Sequence, residues 1–346
     1  LENAMALLEK EIQQIREELG TARKPLFFFD DDCDGLCAFL LMYRSVREGK
    51  GIIVKSVPRL DENSVHKIHE YEPDKVFVLD IANVEQDFID EAKAPVIWID
   101  HHDPPKLSHV KQFNPRIHKK SDNLPTTFLC HQVVGQDLWI ATTGCVADWF
   151  IPPFLEEFRK EYPDLIDPKL KTPPAIIYES KLGELIQVFS AILKGKTEDV
   201  MKCVRILTRI QSPYEILREE SPAGRFIYRR YLKIKKEYDK LMKEVLAQAG
   251  KEKLVLFTYK DNKMSFTGDL SNELLYRFPG RVILIAREKS GEMRMSLRST
   301  NITLPPILQK ALKGLEGYGG GHEYACGASV KLKDFEEFVR RIKEQI

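Results

Sequence analysis

Four carboxylates within five residues, Asp30, Asp31, Asp32 and Asp34, follow directly on the apolar run Pro25-Leu26-Phe27-Phe28-Phe29. Anions this close repel one another unless cations neutralise them. Bound divalent metal meets that need through oxygen ligands, and metal held by carboxylates serves phosphate chemistry. A second cluster, Asp100-His101-His102-Asp103, closes another apolar run, Val96–Ile99. Adjacent histidines at a strand end face different sides, so one can ligate a metal while the other meets substrate or an acid behind it. Asp32 and Asp34 are read as extended chain beyond the strand, both on one side and sharing a cation. Gly35 then turns the chain into the next helix. Asp31 is the weakest member and is read as facing solvent. A plainer reading, an acidic turn favoured by a helix dipole, would suit a single aspartate better than this grouping. A structural histidine would likewise suit a lone histidine.

Such residues need elements that bring them together. Leu26–Asp30, Val76–Asp80 and Val96–Asp100 are strand-like runs, each ending in a carboxylate. Between them, Leu36–Gly49, Glu62–Tyr71 and Glu85–Ala94 read as crossover helices, with Gly51–Val57 as a further strand. This alternation predicts a parallel α/β sheet, whose strands present their carboxyl ends along one edge. Asp30, Asp80 and Asp100 should therefore meet, although far apart in sequence. Leu8, Ile12, Ile15 and Leu19 predict an amphipathic helix over residues 5–19, stopped by Gly20.

Downstream, residues 125–150 read as helical, 151–175 as Pro-rich and irregular, and 179–217 as mostly helical. A long helix is predicted over 225–246, where Ile227, Tyr231, Ile234, Tyr238, Leu241 and Val245 form a heptad-like stripe. It carries eight Lys/Arg against three acids. A connecting helix with a solvated face is the plainer reading, and a basic wall for a nucleic-acid backbone the sharper one. After Gly250 come strands at 254–259, 282–288 and 293–297, the last two forming a hairpin through Lys289-Ser290-Gly291-Glu292. A helix at 304–314, a Gly-rich turn at 317–321, a strand at 326–331 and a helix at 334–345 complete a smaller α+β domain.

Lys and Arg number 53 and Asp and Glu 52. That balance excludes a globally basic nucleic-acid binder and requires any such site to be a local patch. The six cysteines form no Cys-x-x-Cys pair, which argues against a disulfide framework or zinc knuckle and for a reducing cytoplasm. No apolar run reaches the length of a membrane span, and no basic-then-apolar leader opens the chain. Leu1–Ala4 precede the first methionine, Met5, and read as a remnant in front of it.

Asp-Asp-Asp-Cys-Asp-Gly at 30–35 resembles the first motif of the DHH phosphoesterases. Asp80 after Val-Phe-Val-Leu is similar to the second, Asp100-His101-His102 to the motif that names the family, and Thr143-Gly144-Cys145-Val146-Ala147-Asp148 to the fourth. Gly319-Gly320-Gly321-His322 resembles the signature of the DHH-associated substrate-binding domain, and Ser296-Leu297-Arg298-Ser299 its upstream Ser-x-Arg-Ser element. Nanornases of this family usually carry a histidine four residues before Asp32. Phe28 stands there instead, and the resemblance leans toward the RecJ branch and its compact archaeal and Hef-associated members.

The resemblance implies an N-terminal helix (1–20), a DHH catalytic domain on a parallel sheet (21–217), a connecting helix (218–250) and an α+β DHH-associated substrate-binding domain (251–346). It implies two divalent ions, Mn2+ before Mg2+, on Asp30, Asp32, Asp34, Asp80, His101 and Asp148, with Asp80 bridging. It gives His102 the scissile phosphate and Asp100 the orientation of a histidine. Arg298, Gly319, Gly320, Gly321 and His322 would hold substrate. The expected activity is exonucleolytic hydrolysis of single-stranded DNA or RNA to mononucleotides. The alternatives are a nanornase, phosphoadenosine-phosphate phosphatase or cyclic-dinucleotide phosphodiesterase on short substrates, and a non-catalytic replication scaffold. A repair or replication protein partner and a homo-oligomer are further expectations, and no membrane is expected.

Overall fold

Why Pro25–Asp30 forms a strand is visible in how its phenylalanines divide. Phe27 and Phe29 face one side, against Phe39 at 5.8 and 4.5 Å between ring centroids. Phe28 faces the other, edge-on to Phe88 at 5.6 Å. A strand buried on both faces reads as an unbroken apolar run, and that is the habit of parallel sheets covered by helices. Each phenylalanine is buried to within about 1%, and truncating one to alanine would cost about 3–5 kcal/mol.

The computed structural model describes residues 6–55, 59–260 and 264–346. They form two compact units, Leu1–Tyr231 and Leu232–Ile346. In the first, α1 (Glu9–Thr21) leads into β1 (Pro25–Asp30), α2 (Cys33–Val46), β2 (Lys50–Val54), β3 (Arg59–Leu60), α3 (Glu62–Tyr71), β4 (Lys75–Leu79) and β5 (Asn83–Val84). There follow α4 (Gln86–Glu91), β6 (Val96–Ile99), β7 (Val110–Phe113), α5 (Thr126–Val134) and α6 (Leu138–Ala147). The main sheet has the order β2-β1-β4-β6-β7 and is parallel throughout. The register pairs Phe29 with Leu79 and Leu79 with Ile99, so the residues that follow, Asp30, Asp80 and Asp100, share the carboxyl edge. The α/β architecture with a parallel sheet is as expected.

Several local expectations need correction. Gly20 lies inside α1, which ends where Ala22 turns extended. Residues 56 and 57 of the expected strand 51–57, and residues 1–5, lie outside the described residues. The Pro-rich stretch is not simply irregular: it holds α7 (Leu155–Glu161) and α8 (Pro173–Glu179), the latter started by Pro173, whose missing N–H costs nothing in a first turn. Then come α9 (Lys181–Ile192), α10 (Thr197–Leu207), α11 (Pro213–Leu217) and the long α12 (Pro222–Gln248), inside which the division between the units falls.

The second unit contains β8 (Leu254–Lys260), α13 (Thr267–Arg277), β9 (Val282–Lys289), β10 (Glu292–Arg298), α14 (Leu304–Leu312), β11 (Gly317–His322), β12 (Ala325–Lys331) and α15 (Phe335–Lys343). Its sheet order is β11-β12-β10-β9-β8, with β8 parallel to β9 and the other pairs antiparallel. The hairpin turn puts Ser290 at φ 53° and Gly291 at φ 77°, as a two-residue primed turn requires. Met293, Met295 and Leu297 alternate onto a core shared with Leu308 of α14 and Phe338 of α15. The expected Gly-rich turn at 317–321 is instead a strand. Glycines carry no side-chain period, so the pairing with β12 is invisible in their pattern. Among the described residues, no helix is long and apolar enough to cross a membrane.

Candidate metal centre

Asp30 ends β1, and two residues later Asp32 caps α2, accepting the Gly35 N–H at 2.9 Å. Asp34 therefore lies in the first turn of a helix and not in extended chain, which corrects the side-by-side reading of the pair. The tight passage depends on Gly35: a Cβ there would stand 2.8 Å from the Asp30 nitrogen. The helical turn aims Asp34 at the start of α5. There its two carboxylate oxygens accept the N–H groups of Thr126 and Thr127, each at 2.8 Å. A helix N-terminus favours an anion at this position. Thr126 also donates its hydroxyl to Asp80 at 2.9 Å. Asp80 itself sits just past β4 at φ 60°, a left-handed conformation rarely adopted by a non-glycine residue.

The ligand atoms fall into three triads, each within 4.8 Å: Asp30, Asp32 and Asp80; Asp34, His101 and Asp148; Asp80, His101 and His102. Asp80 and His101 belong to two triads each. His101 Nε2 is 3.4 Å from Asp80 and 3.9 Å from Asp34, and its Nδ1 is 3.9 Å from Asp148. Asp100 stands apart from this set. Fully buried, it accepts the backbone N–H of His102 at 2.9 Å and the His102 ring Nδ1–H at 2.8 Å. Asn114 braces the pair, donating to the His102 carbonyl at 2.9 Å. Asp31 is half-buried, with Lys55 and Lys194 near enough to lower its carboxyl against the raising effect of burial.

Burial, followed by mutual repulsion, raises Asp30 to about 9 and pushes Asp80 and Asp148 well up. Burial likewise raises Asp34; the Asp32 carboxyl is raised too, by desolvation and then by the charge of Asp34, although the residue as a whole is exposed. So many carboxylates cannot all ionise without added positive charge. Burial, then the neighbouring His102, pushes His101 down to about 4, so its ring is neutral at pH 7 and offers lone pairs. Its buried Nδ1 has no hydrogen-bond partner. An orphaned imidazole nitrogen among carboxylates fits a divalent cation. His102 is the opposite case. Burial alone would lower it, but the hydrogen bond and charge of Asp100 hold it above its usual value.

Sequence reasoning missed Thr126, Thr127 and Asn114. Pro125 before Thr126-Thr127 was a helix-start signal, but nothing local tied that helix to Asp34. The cation Arg116 was also missed; it pairs with Asp103 at 2.9 Å, and its charge helps to lower His101.

In the second unit, Arg298, Ala325 and His322 occupy one row across β10, β12 and β11, so Arg298 and His322 share a face. The Arg298 guanidinium donates to Asn272 at 2.7 Å. Gly319 and Gly321 are needed by packing: a Cβ would lie 2.9 Å from the Ala328 Cβ and 2.3 Å from the Ala325 carbonyl oxygen, respectively. Gly320 is open, with nothing within 4 Å of a built Cβ. On α12, Arg229, Lys233, Lys236, Lys240 and Lys243 step by four and three along one exposed face. That stripe spans about 21 Å at 1.5 Å per residue.

Residues 26–169 match the DHH family, N-terminal domain, and residues 235–346 match the DHHA1 domain. No curated protein sequence matches the chain. Among solved structures, RecJ from Thermus thermophilus in complex with Mn2+ superposes with a TM-score of 0.69 at 16% identity, over 98% of this chain and 55% of that one. The chain thus spans about half the length of that relative. An exonuclease RecJ bound to manganese gives 0.62 at 16% identity, over 99% and 95%. A DHH domain described as a member of the s1p family of ribosomal proteins gives 0.55 at 15% identity, over 97% and 89%. At these identities the likeness is one of fold. A DHH domain followed by a DHHA1 domain, in a RecJ-like fold, places the chain in the DHH family of phosphoesterases.

Proposed function

We propose that the chain is a divalent-metal-dependent exonuclease that hydrolyses single-stranded DNA or RNA from an end. The observation that carries this reading is the convergence of Asp30, Asp32, Asp34, Asp80, His101 and Asp148 at the carboxyl edge of the parallel sheet, with ligand atoms within 4.8 Å in each triad. These residues would hold two divalent cations, Mn2+ by likeness to the RecJ structures, with Asp80 shared. Such cations supply charge to a phosphodiester and acidify water at neutral pH.

The chain's own groups do the rest. Asp34, pinned by two α5 amides, sets the position of its carboxylate before any ligand arrives. His101 stays neutral and keeps its lone pairs. His102, with Nδ1–H committed to Asp100, keeps Nε2 for the substrate, and its raised basicity lets that atom donate a proton to a phosphoryl oxygen as charge builds there. In the second unit, Arg298 and His322 would grip a phosphate beside the open backbone of Gly320. The stripe of exposed cations on α12 favours a polymer over a dinucleotide, because its length exceeds what a short substrate can span.

The test is a time course on end-labelled single-stranded DNA, the matching RNA and a cyclic dinucleotide, with Mn2+, with Mg2+ and with chelator. Release of mononucleotides from one end of the long strands, abolished by chelator, is expected. Turnover confined to the dinucleotide would sink the exonuclease reading in favour of a small-substrate phosphodiesterase. Turnover of none would favour a scaffold.

A further inference from the structure

The residue after Asp148 breaks two habits at once. α6 ends in a Schellman motif: Phe150 N–H bonds the Cys145 carbonyl at 2.9 Å and Trp149 N–H bonds the Val146 carbonyl at 3.0 Å. The position between, held left-handed, ordinarily belongs to glycine or asparagine. Here it is Trp149, at φ 60°. A bulky side chain in that region is an outlier, and outliers of this kind gather at functional sites. Trp149 is also 41% exposed, whereas Trp98 and Trp139, the other two tryptophans, are 0% and 2% exposed. The apolar packing of this turn is done by its neighbour, since Phe150 sits edge-on to Phe128 at 5.4 Å. The indole is thus spared from the core and held in water at a conformational cost.

Its place gives it a use. Consecutive Cα atoms lie about 3.8 Å apart, so Trp149 is anchored one residue from a carboxylate of the acid–histidine cluster. A phosphodiester at that cluster has a base within about one nucleotide of it. Exposed aromatic rings beside a phosphate-binding site hold single strands by stacking, whatever the base. We infer that Trp149 is a base-stacking platform for the nucleotide next to the scissile phosphate. This rests on the nucleic-acid substrate proposed above.

The test compares the parent chain with Trp149→Gly and Trp149→Phe, using single-stranded oligodeoxynucleotide and oligoribonucleotide with Ca2+ in place of Mn2+. Fluorescence anisotropy of labelled strand gives affinity, tryptophan emission reports the one exposed indole, and thermal melting reports the fold. Parent emission should be quenched on binding. Trp149→Gly should melt at the same temperature or higher, because glycine takes the left-handed turn freely, yet bind about 5- to 150-fold more weakly, the worth of one stacked base. Trp149→Phe should recover most of the affinity. Equal affinity of Trp149→Gly and parent overturns the stacking role and leaves the exonuclease reading standing. A lower melting temperature for Trp149→Gly overturns the strain argument on which the role rests. A parent that binds neither strand overturns the nucleic-acid reading and the platform together.

Discussion

The acid–histidine cluster of the first unit and the glycine row of the second place polar groups on a sheet by opposite means. In the cluster the buried groups are tied, Asp34 by two amides, Asp80 by Thr126 and Asp100 by the half-buried His102, while Asp32 is exposed. In the glycine row, Gly317–His322 is exposed from end to end, and Gly320 touches nothing with its missing side chain. The cluster is a frustrated site whose charges need an outside partner, and rigidity keeps that need from relaxing away. The row is an unfrustrated surface that offers backbone and waits. Substitutions should accordingly be severe and charge-dependent in the first unit, and in the second should depend on shape, from mild at Gly320 to disruptive at Gly319.

The sharpest break of that contrast would come from Asp80→Asn. The amide keeps the volume and can still accept from Thr126, but removes a shared charge. Metal-dependent hydrolysis should fall on the order of 10³-fold, while the metal-free protein melts higher because repulsion is relieved. Retained activity would mean the cluster is not the reactive centre. Next comes Asp100→Asn, which acts through His102. Activity should drop about 10- to 100-fold, and the alkaline limb of the pH profile should move to lower pH, since the group that raises His102 has lost its charge. An unmoved limb would separate His102 from the reaction.

A smaller effect tests the polymer reading. Lys236→Ala with Lys240→Ala should flatten the salt dependence of single-strand binding by about 0.7 in log–log slope per lysine, leaving turnover of a dinucleotide unchanged. An unaltered slope would return α12 to a plain solvated helix. Smaller still is the pH dependence of stability without metal. A carboxyl raised in the fold stabilises fully below its unfolded value, 3.8 for aspartate, and loses that contribution as the pH climbs through its folded value, about 9 for Asp30. The metal-free melting temperature should decline across that window, and Mn2+ should oppose the decline by binding the ionised form. A flat profile without metal would show the acids are not strained against one another. The mildest case is Gly320→Ala, expected within about 0.5 kcal/mol of parent stability. Gly319→Ala should be clearly destabilising, because its Cβ has no room. Reversal of that order would contradict the packing of β11.

Much of the first unit was legible because its signals are dense and local. Three apolar runs each closed by an acid predict a parallel sheet, and a parallel sheet has one carboxyl edge; the crossover helix expected at Glu62–Tyr71 forms with those bounds. What was illegible depended on long-range or patternless contacts. Asp34 follows Asp32 by two residues, so extended chain is the simple inference, but the cap at Asp32 starts the helix at Cys33, three residues before the expected Leu36. α13 has no side-chain cap and carries Gly268, a poor helix former, in its first turn, so no start signal announces it.

The sequence by itself determined which residues carry charge, which runs must be buried, and that acids and histidines close the strands, because composition and side-chain period are properties of neighbours along the chain. Tertiary structure decided which acid meets which amide, that Asp100 serves His102 while His101 keeps a free nitrogen, and that Trp149 is left in water beside Asp148. Those are questions of distance between segments up to some ninety residues apart (Asp34 and Thr127), and no local pattern encodes a distance that only packing closes.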